Sequence, residues 1–240
     1  MTPTGYRYTA RPTRNPLRYA RAVWRLIRRD PETTTAEAAI VEIGFARSKL
    51  GRRFARWQDV ADHLKRDPRT AAAMSARKPF GPIVLESLEE LPEETLGRVF
   101  ADHCRQRGID PNLVHVPPTG EIGWMLNHFY QTHDIWHVLS GWGNDLAGEV
   151  GLGGFYAAQF GNPAFFGYML ALVLLNVVMR RADLGEVFEA FNAGYQTGKQ
   201  ARPLFGTDWD ALWHVPIHEL RDHFAIDRTA IVGEGIRVAA

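Results

Sequence analysis

The sequence contains one cysteine, Cys104, which excludes an internal disulfide and fits a reducing compartment. It has no apolar run of spanning length. The longest, residues 164–179 (AFFGYMLALVLLNVVM), has 16 residues interrupted by Asn176, against roughly 20 for a helix that crosses a bilayer. A buried helix, or one lining the path of an apolar tail, is the expectation there. The N-terminus offers no apolar core followed by a small-residue cleavage site, so a secretory signal is not expected, although an arginine-rich, acid-poor start also suits an organellar transit segment. Net charge is nearly absent as well, with 28 basic against 27 acidic side chains. That balance gives no reason to expect a nucleic-acid partner.

What is present is enough apolar material for a sizeable core: 45% hydrophobic and 23% charged residues over 240 positions, in keeping with one domain plus an arm. The charge is unevenly placed. Eight arginines precede the first acidic residue, Asp30, so the arm is basic and the remainder acidic. Leu17, Ala20, Val23, Trp24 and Ile27 recur at helical spacing with Arg18, Arg21, Arg25 and Arg28 beside them. This is the pattern of a basic amphipathic helix, suited to an anionic membrane surface or to docking on the acidic body. The expected organisation is a basic arm over 1–30, a helical metal-binding domain over 31–230 and a tail over 231–240.

Beyond Thr34 the chain reads as helices punctuated by Gly and Pro, which predicts an all-α fold. Apolar spacing marks helices near 35–50, 55–65, 93–107, 120–140, 145–160, 164–180, 184–201 and 216–224. Pro92 and Pro216 suit first helical turns, Gly108 suits a helix end, and Asp183 with Glu186 suits a capping box. Residues 109–119, with three prolines, read as a long loop able to cover a pocket mouth.

The chemistry concentrates in 133–149. His133 and His137, four apart, share one helical face, as two ligands of one metal require. Asp134 lies beside them. Ile122, Leu126 and Phe129 continue the same stripe backward and direct both imidazoles inward. Glu149 follows past Gly141 and Gly143 on a second helical pattern, sharing a face with Leu146, Leu152 and Tyr156. An ionised carboxylate on an interior face needs a cation or a strong hydrogen-bond partner. The reading is a single buried metal site, set against a merely hydrogen-bonded cluster. Gly148, Gly151, Gly153 and Gly154 are expected to let the two helices approach closely. His128, His214, His218 and His223 read as surface or capping residues, and Tyr195, Gly198, Lys199, Arg202 and Trp209 as a mainly structural cluster.

The segment Tyr130–Glu149 (YQTHDIWHVLSGWGNDLAGE) resembles the H-D-x-x-H-x(11)-E signature of the ubiquinone (coenzyme Q) biosynthesis protein Coq-four family, matching at all four positions. DVADHLKRDP, ESLEELPEETLGRVFADH and YQTGKQARPLFGTDWDALW are similar to other segments of that family, so the likeness spans roughly residues 57–227. The resemblance implies an all-helical peripheral membrane protein with the ligands His133, Asp134, His137 and Glu149. It implies a divalent metal, usually described as zinc, and mixed imidazole and carboxylate ligation also admits Mn, Fe or Co. The implied activity is oxidative decarboxylation at ring carbon 1 of a polyprenylated hydroxybenzoate precursor. The alternative role is a lipid-binding scaffold for other ubiquinone biosynthesis enzymes. Implied partners are a polyprenylated benzenoid lipid, those enzymes, a membrane surface and a second copy in a homodimer. The implied location is the cytoplasmic face of a bacterial membrane, or the matrix side of the mitochondrial inner membrane. A third reading, a His-Asp metal phosphohydrolase, lacks the separate upstream His and downstream Asp that such a site uses.

Overall fold

A computed structural model describes residues 16–28, 56–112, 118–161 and 183–229, with the single positions 174, 178 and 231. Among the described residues there is no β-strand, only an isolated bridge between Thr95 and Pro216. The protein is all-α. Its helices are α1 (Pro16–Arg28), α2 (Trp57–Leu64), α3 (Pro68–Ala76), α4 (Leu85–Glu89), α5 (Leu96–Arg107), α6 (Gly120–Ser140), α7 (Leu146–Phe160), α8 (Leu184–Gln200) and α9 (Ile217–Phe224), with a short 3-10 turn at Trp209–Ala211. The predicted helices at 35–50 and 164–180 lie outside the described residues, apart from Leu174 and Val178. So does the middle of the predicted loop, at 113–117.

Local chemistry explains the boundaries. The side chains of Asp67, Thr95, Asp145 and Asp183 accept from the backbone N–H three residues on, at Thr70, Arg98, Gly148 and Glu186, which satisfies donors left open at a helix start. Gly108 closes α5 in the left-handed conformation. Pro92 stands in the turn before Thr95, and Pro216 is itself the cap of α9. Two helices, α3 and α4, were not anticipated by apolar periodicity. The first is alanine-rich and has no stripe; its one local signal was Asp67-Pro68, a capping side chain followed by a proline at the first helical position. The second is only five residues long.

Helix α6 is the axis of the molecule, packed against α2, α3, α5, α7 and α9. It is enclosed on most sides, so its polar side chains must find partners inside. The Asn127 amide donates to Gln131 Oε1 at 2.6 Å, Gln131 to the Phe80 carbonyl at 3.4 Å, Thr132 to the His128 carbonyl and Ser140 to the Trp136 carbonyl. Trp136, Trp142, Phe155 and Phe205 are buried around it, each contributing on the order of 2–3 kcal/mol of apolar burial.

The C-terminal stretch ties the helices together. Leu96 and Gly97 donate to the carbonyls of Val215 and Trp213, occupying open N–H groups at the start of α5. Arg221 on α9 donates to the carbonyls of Leu139 (3.0 Å) and Val138 (2.9 Å) at the end of α6. A cation there also complements the negative end of the helix dipole.

The interior glycines have a different neighbour from the one expected. A methyl group at Gly194 would overlap the Gly151 carbonyl, and one at Gly154 would overlap the Phe191 carbonyl. They let α7 approach α8. A methyl at Gly151 would strike the Trp142 ring. Close approach of α7 to α6 is not what these residues serve.

In α1, Ala22 is buried while Leu17 and Trp24, two members of the expected apolar stripe, are exposed. No described helix is long and apolar enough to cross a membrane.

Candidate metal centre

His133 and His137 stand four positions apart on α6, and one helical turn brings their rings to a centroid distance of 4.7 Å with perpendicular planes. The two Nε2 atoms stand 3.2 Å apart. Glu149, one turn into α7, faces both: its oxygens lie 3.5 Å from His137 Nε2 and 3.9 Å from His133 Nε2. Among the described residues, one ligand atom from each of these three side chains lies within 4.8 Å of the other two.

The nitrogen separation is informative. Two imidazole lone pairs at such a distance repel unless a proton or a cation lies between them. A tetrahedral ion with metal–nitrogen bonds of about 2.0–2.1 Å has an edge of about 3.3 Å. The carboxylate distances are slightly longer, within reach of a side-chain rotation. The donor set, two imidazoles and a carboxylate, fits a divalent transition metal.

The backbone orients His137. Its Nδ1 lies 2.9 Å from the Trp142 carbonyl; a carbonyl only accepts, so Nδ1 carries the proton and Nε2 presents its lone pair to the centre. Gly141, with φ +86°, makes the turn that returns Trp142 to this position. His133 Nδ1 lies 3.3 Å from the Tyr156 hydroxyl.

Electrostatics follow from the grouping. Enclosure pushes the Glu149 carboxyl up, but attraction to His137 and His133 outweighs it and holds the group down at about 2. Burial lowers His137, and Glu149 more than offsets this, so His137 is raised overall. His133 is lowered by burial and then by its neighbour His137.

The sequence-predicted residues divide three to one. His133, His137 and Glu149 come together, whereas the Asp134 carboxylate is outside the group. A residue next to His133 projects about 100° away around the helix, which accounts for the divergence. Its charge still raises both imidazoles. The site is also less enclosed than a sealed interior: the His137 side chain is 0% exposed, His133 33% and Glu149 46%. The group is open to solvent on the glutamate side.

Two other interior imidazoles escaped the sequence reading. His103 on α5 stacks on His137 at a centroid distance of 6.3 Å, and burial drives its pKa down to about 3. Its signal was spacing, since Leu96, Val99, Phe100 and His103 share the buried face of α5. His128, expected at the surface, is instead buried, stacked on Trp124 at 4.9 Å with Phe205 edge-on at 5.0 Å. It borders a cleft of about 290 Å3 shared with Ala73 and Phe80. His214, His218 and His223 are exposed. In the cluster read as structural, Trp209 is buried and Lys199 lies over the Tyr195 ring at 6.0 Å.

Comparison with known proteins adds to the geometry. The profile of the family described as "Coenzyme Q (ubiquinone) biosynthesis protein Coq4" matches residues 30–230. The chain belongs to this family. Among curated Coq4 relatives, the mitochondrial ubiquinone biosynthesis protein COQ4 homolog of Rattus norvegicus is 25% identical over 171 residues, covering 69% of this chain and 63% of the relative. The homolog of Danio rerio is 24% identical over 176 residues, covering 71% and 64%. The chain thus spans less than two thirds of the length of these relatives. A crystal structure from Nostoc punctiforme PCC 73102, of a protein provisionally assigned to ubiquinone biosynthesis, superposes with a TM-score of 0.68 at 25% identity, covering 90% of this chain and all of that one.

Proposed function

We propose that this Coq4 protein removes the carboxyl group from ring carbon 1 of a polyprenylated hydroxybenzoate precursor of ubiquinone and replaces it with hydroxyl. Overall, one aromatic acid and half an equivalent of dioxygen would give one phenol and one carbon dioxide. The observation that carries this reading is the convergence of two neutral-capable imidazole nitrogens, 3.2 Å apart, on one carboxylate, in a chain of the coenzyme Q biosynthesis family.

A divalent cation held by His133, His137 and Glu149 would supply Lewis acidity toward the ring carboxylate or an adjacent phenolate. Zinc is the ion the family resemblance suggests; the resemblance also counts Asp134 among the ligands, whereas its carboxylate lies outside the group of three. The protein's own groups do the rest. The Trp142 carbonyl fixes the His137 tautomer, and the partial exposure of Glu149 leaves a side open to the ring. His103, stacked on His137, and the Tyr156–Trp136 stack would shield the far side from water. The prenyl tail would lie against apolar helices, and the basic α1 would favour an anionic membrane surface.

The test is complementation. In a cell lacking its own homologue, a folded His137→Ala protein is expected to leave the carboxylated prenyl precursor unconverted, measured by lipid mass spectrometry. Full restoration of ubiquinone by that variant would overturn catalysis in favour of a scaffold.

A further inference from the structure

We propose that Tyr156 is a positioning residue for His133: in the metal-loaded protein its hydroxyl oxygen accepts the Nδ1 proton of His133 and so commits the Nε2 lone pair to the ion. The inference rests on the metal reading above and extends it to a residue outside the ligand set.

Tyr156 lies seven residues after Glu149 on α7, two turns along the same face. One helix therefore delivers a carboxylate to one side of the histidine pair and a hydroxyl to the other. The tyrosine ring has little freedom. It is 2% exposed, stacks on Trp136 at 4.6 Å, and meets Phe129 edge-on at 4.8 Å. The hydroxyl is consequently held at its 3.3 Å contact with His133 Nδ1.

The two histidines differ in what fixes them. His137 faces a carbonyl, which can only accept, so its Nδ1 proton is fixed whatever occupies the centre. His133 faces a hydroxyl, which can donate or accept. With both rings neutral and no ion present, the 3.2 Å contact between the Nε2 atoms needs one proton. His137 carries its own on Nδ1, so the proton between them belongs to His133 Nε2, and His133 Nδ1 accepts from Tyr156. An ion at the centre requires lone pairs on both Nε2 atoms. His133 then changes tautomer, Nδ1 becomes the donor, and the Tyr156 hydroxyl turns from donor to acceptor. The proton count of the ring does not change; only its position does.

The experiment compares the full-length parent with Tyr156→Phe, which keeps the ring and removes the hydroxyl. Zn2+ affinity is measured by competition with a chromophoric chelator, metal-free stability by thermal unfolding, and histidine tautomers by long-range 1H–15N correlation at alkaline pH with and without Zn2+. The expected result is binding weaker by about 10- to 100-fold, the usual effect of removing such an outer partner, with an unchanged metal-free unfolding midpoint. In the parent, the His133 nitrogens should exchange their protonated and unprotonated shifts on adding Zn2+, while those of His137 keep their Nδ1–H pattern. Equal Zn2+ affinity in Tyr156→Phe, or a His133 that keeps Nε2–H in the loaded parent, overturns the proposal while leaving the metal reading intact. Weaker binding that merely tracks a lower metal-free midpoint overturns it in favour of packing. If the parent itself binds no Zn2+, Mn2+, Fe2+ or Co2+, the metal reading fails and takes this inference with it.

Discussion

His128 and His137 lie on one helix, both buried, and burial has opposite outcomes for them. Nine residues of α6 place them on opposite sides. His128 faces Trp124 and Phe205, burial outweighs the attraction of Asp208, and its pKa falls to about 4. His137 faces Glu149, and its pKa rises despite complete enclosure. Enclosure by itself makes an imidazole a neutral packing element; a second helix that presents a carboxylate makes it part of a candidate cation site. What distinguishes the two faces is therefore supplied by α7 and not by α6.

The contrast can be broken most sharply by truncating one histidine on each face. His137→Ala is expected to lower Zn2+ affinity by more than about 100-fold, exceeding the effect of losing an outer partner, whereas His128→Phe should leave stoichiometry and affinity unchanged, both read by metal analysis after dialysis. Equal losses in the two variants would erase the distinction.

The role of α7 is tested next through its anchor. Gly194→Ala drives a methyl into the Gly151 backbone and should cost about 1–3 kcal/mol in denaturant unfolding. Zn2+ affinity should fall with it, because Glu149 rides on the displaced helix.

A smaller effect sharpens the electrostatic half of the comparison. In the metal-free protein, the depressed carboxyl of Glu149 stabilises the fold above its ordinary value of 4.5, and this is lost as pH falls toward about 2. The raised pKa of His137 stabilises the fold below 6.5, and this is lost as pH rises through the folded value. Glu149→Gln should therefore destabilise most between pH 4.5 and 6.5, by no more than about 1 kcal/mol given solvent screening at a half-exposed carboxylate. A uniform loss across pH would refute the coupling.

His128→Phe is expected to have the smallest effect on stability near neutrality, within about 1 kcal/mol, since an apolar ring replaces an imidazole whose Nε2 has no hydrogen-bond partner among the described residues. Its signature is at acid pH. The folded pKa lies below the unfolded one, so stability is lost as pH falls from 6.5 to about 4, and the variant should lack that component of acid sensitivity in pH-dependent thermal scans.

The sequence was most legible where periodicity, caps and chemistry agreed. Helix α6 occupies the expected 120–140, α7 and α8 lie within a residue of their expected limits, and Asp183 caps as its spacing implied. Helices without a stripe, such as α3, left only a cap signal. The glycines of α7 were visible, but which neighbour they admit depends on α8 folding back, a relation between distant segments that no local pattern encodes. The same holds for His128. Its ring is buried because Phe205 arrives from 77 positions away, and isolated spacing on α6 cannot register that. Asp134 shows the reverse limit: a motif names adjacent residues, yet helix geometry sends them in different directions.

The Arg221 clamp on the end of α6 bears on how the chain is made. The carbonyls of Val138 and Leu139 wait for a side chain 83 and 82 positions downstream, and α5 likewise receives its first partners from residues 213–215. On the ribosome, α6, which carries both imidazoles of the centre, and α5 emerge long before the segment that ties off their ends. A nascent chain interrupted before residue 213 would carry His133, His137 and Glu149 and lack the fastening of the helices beside them.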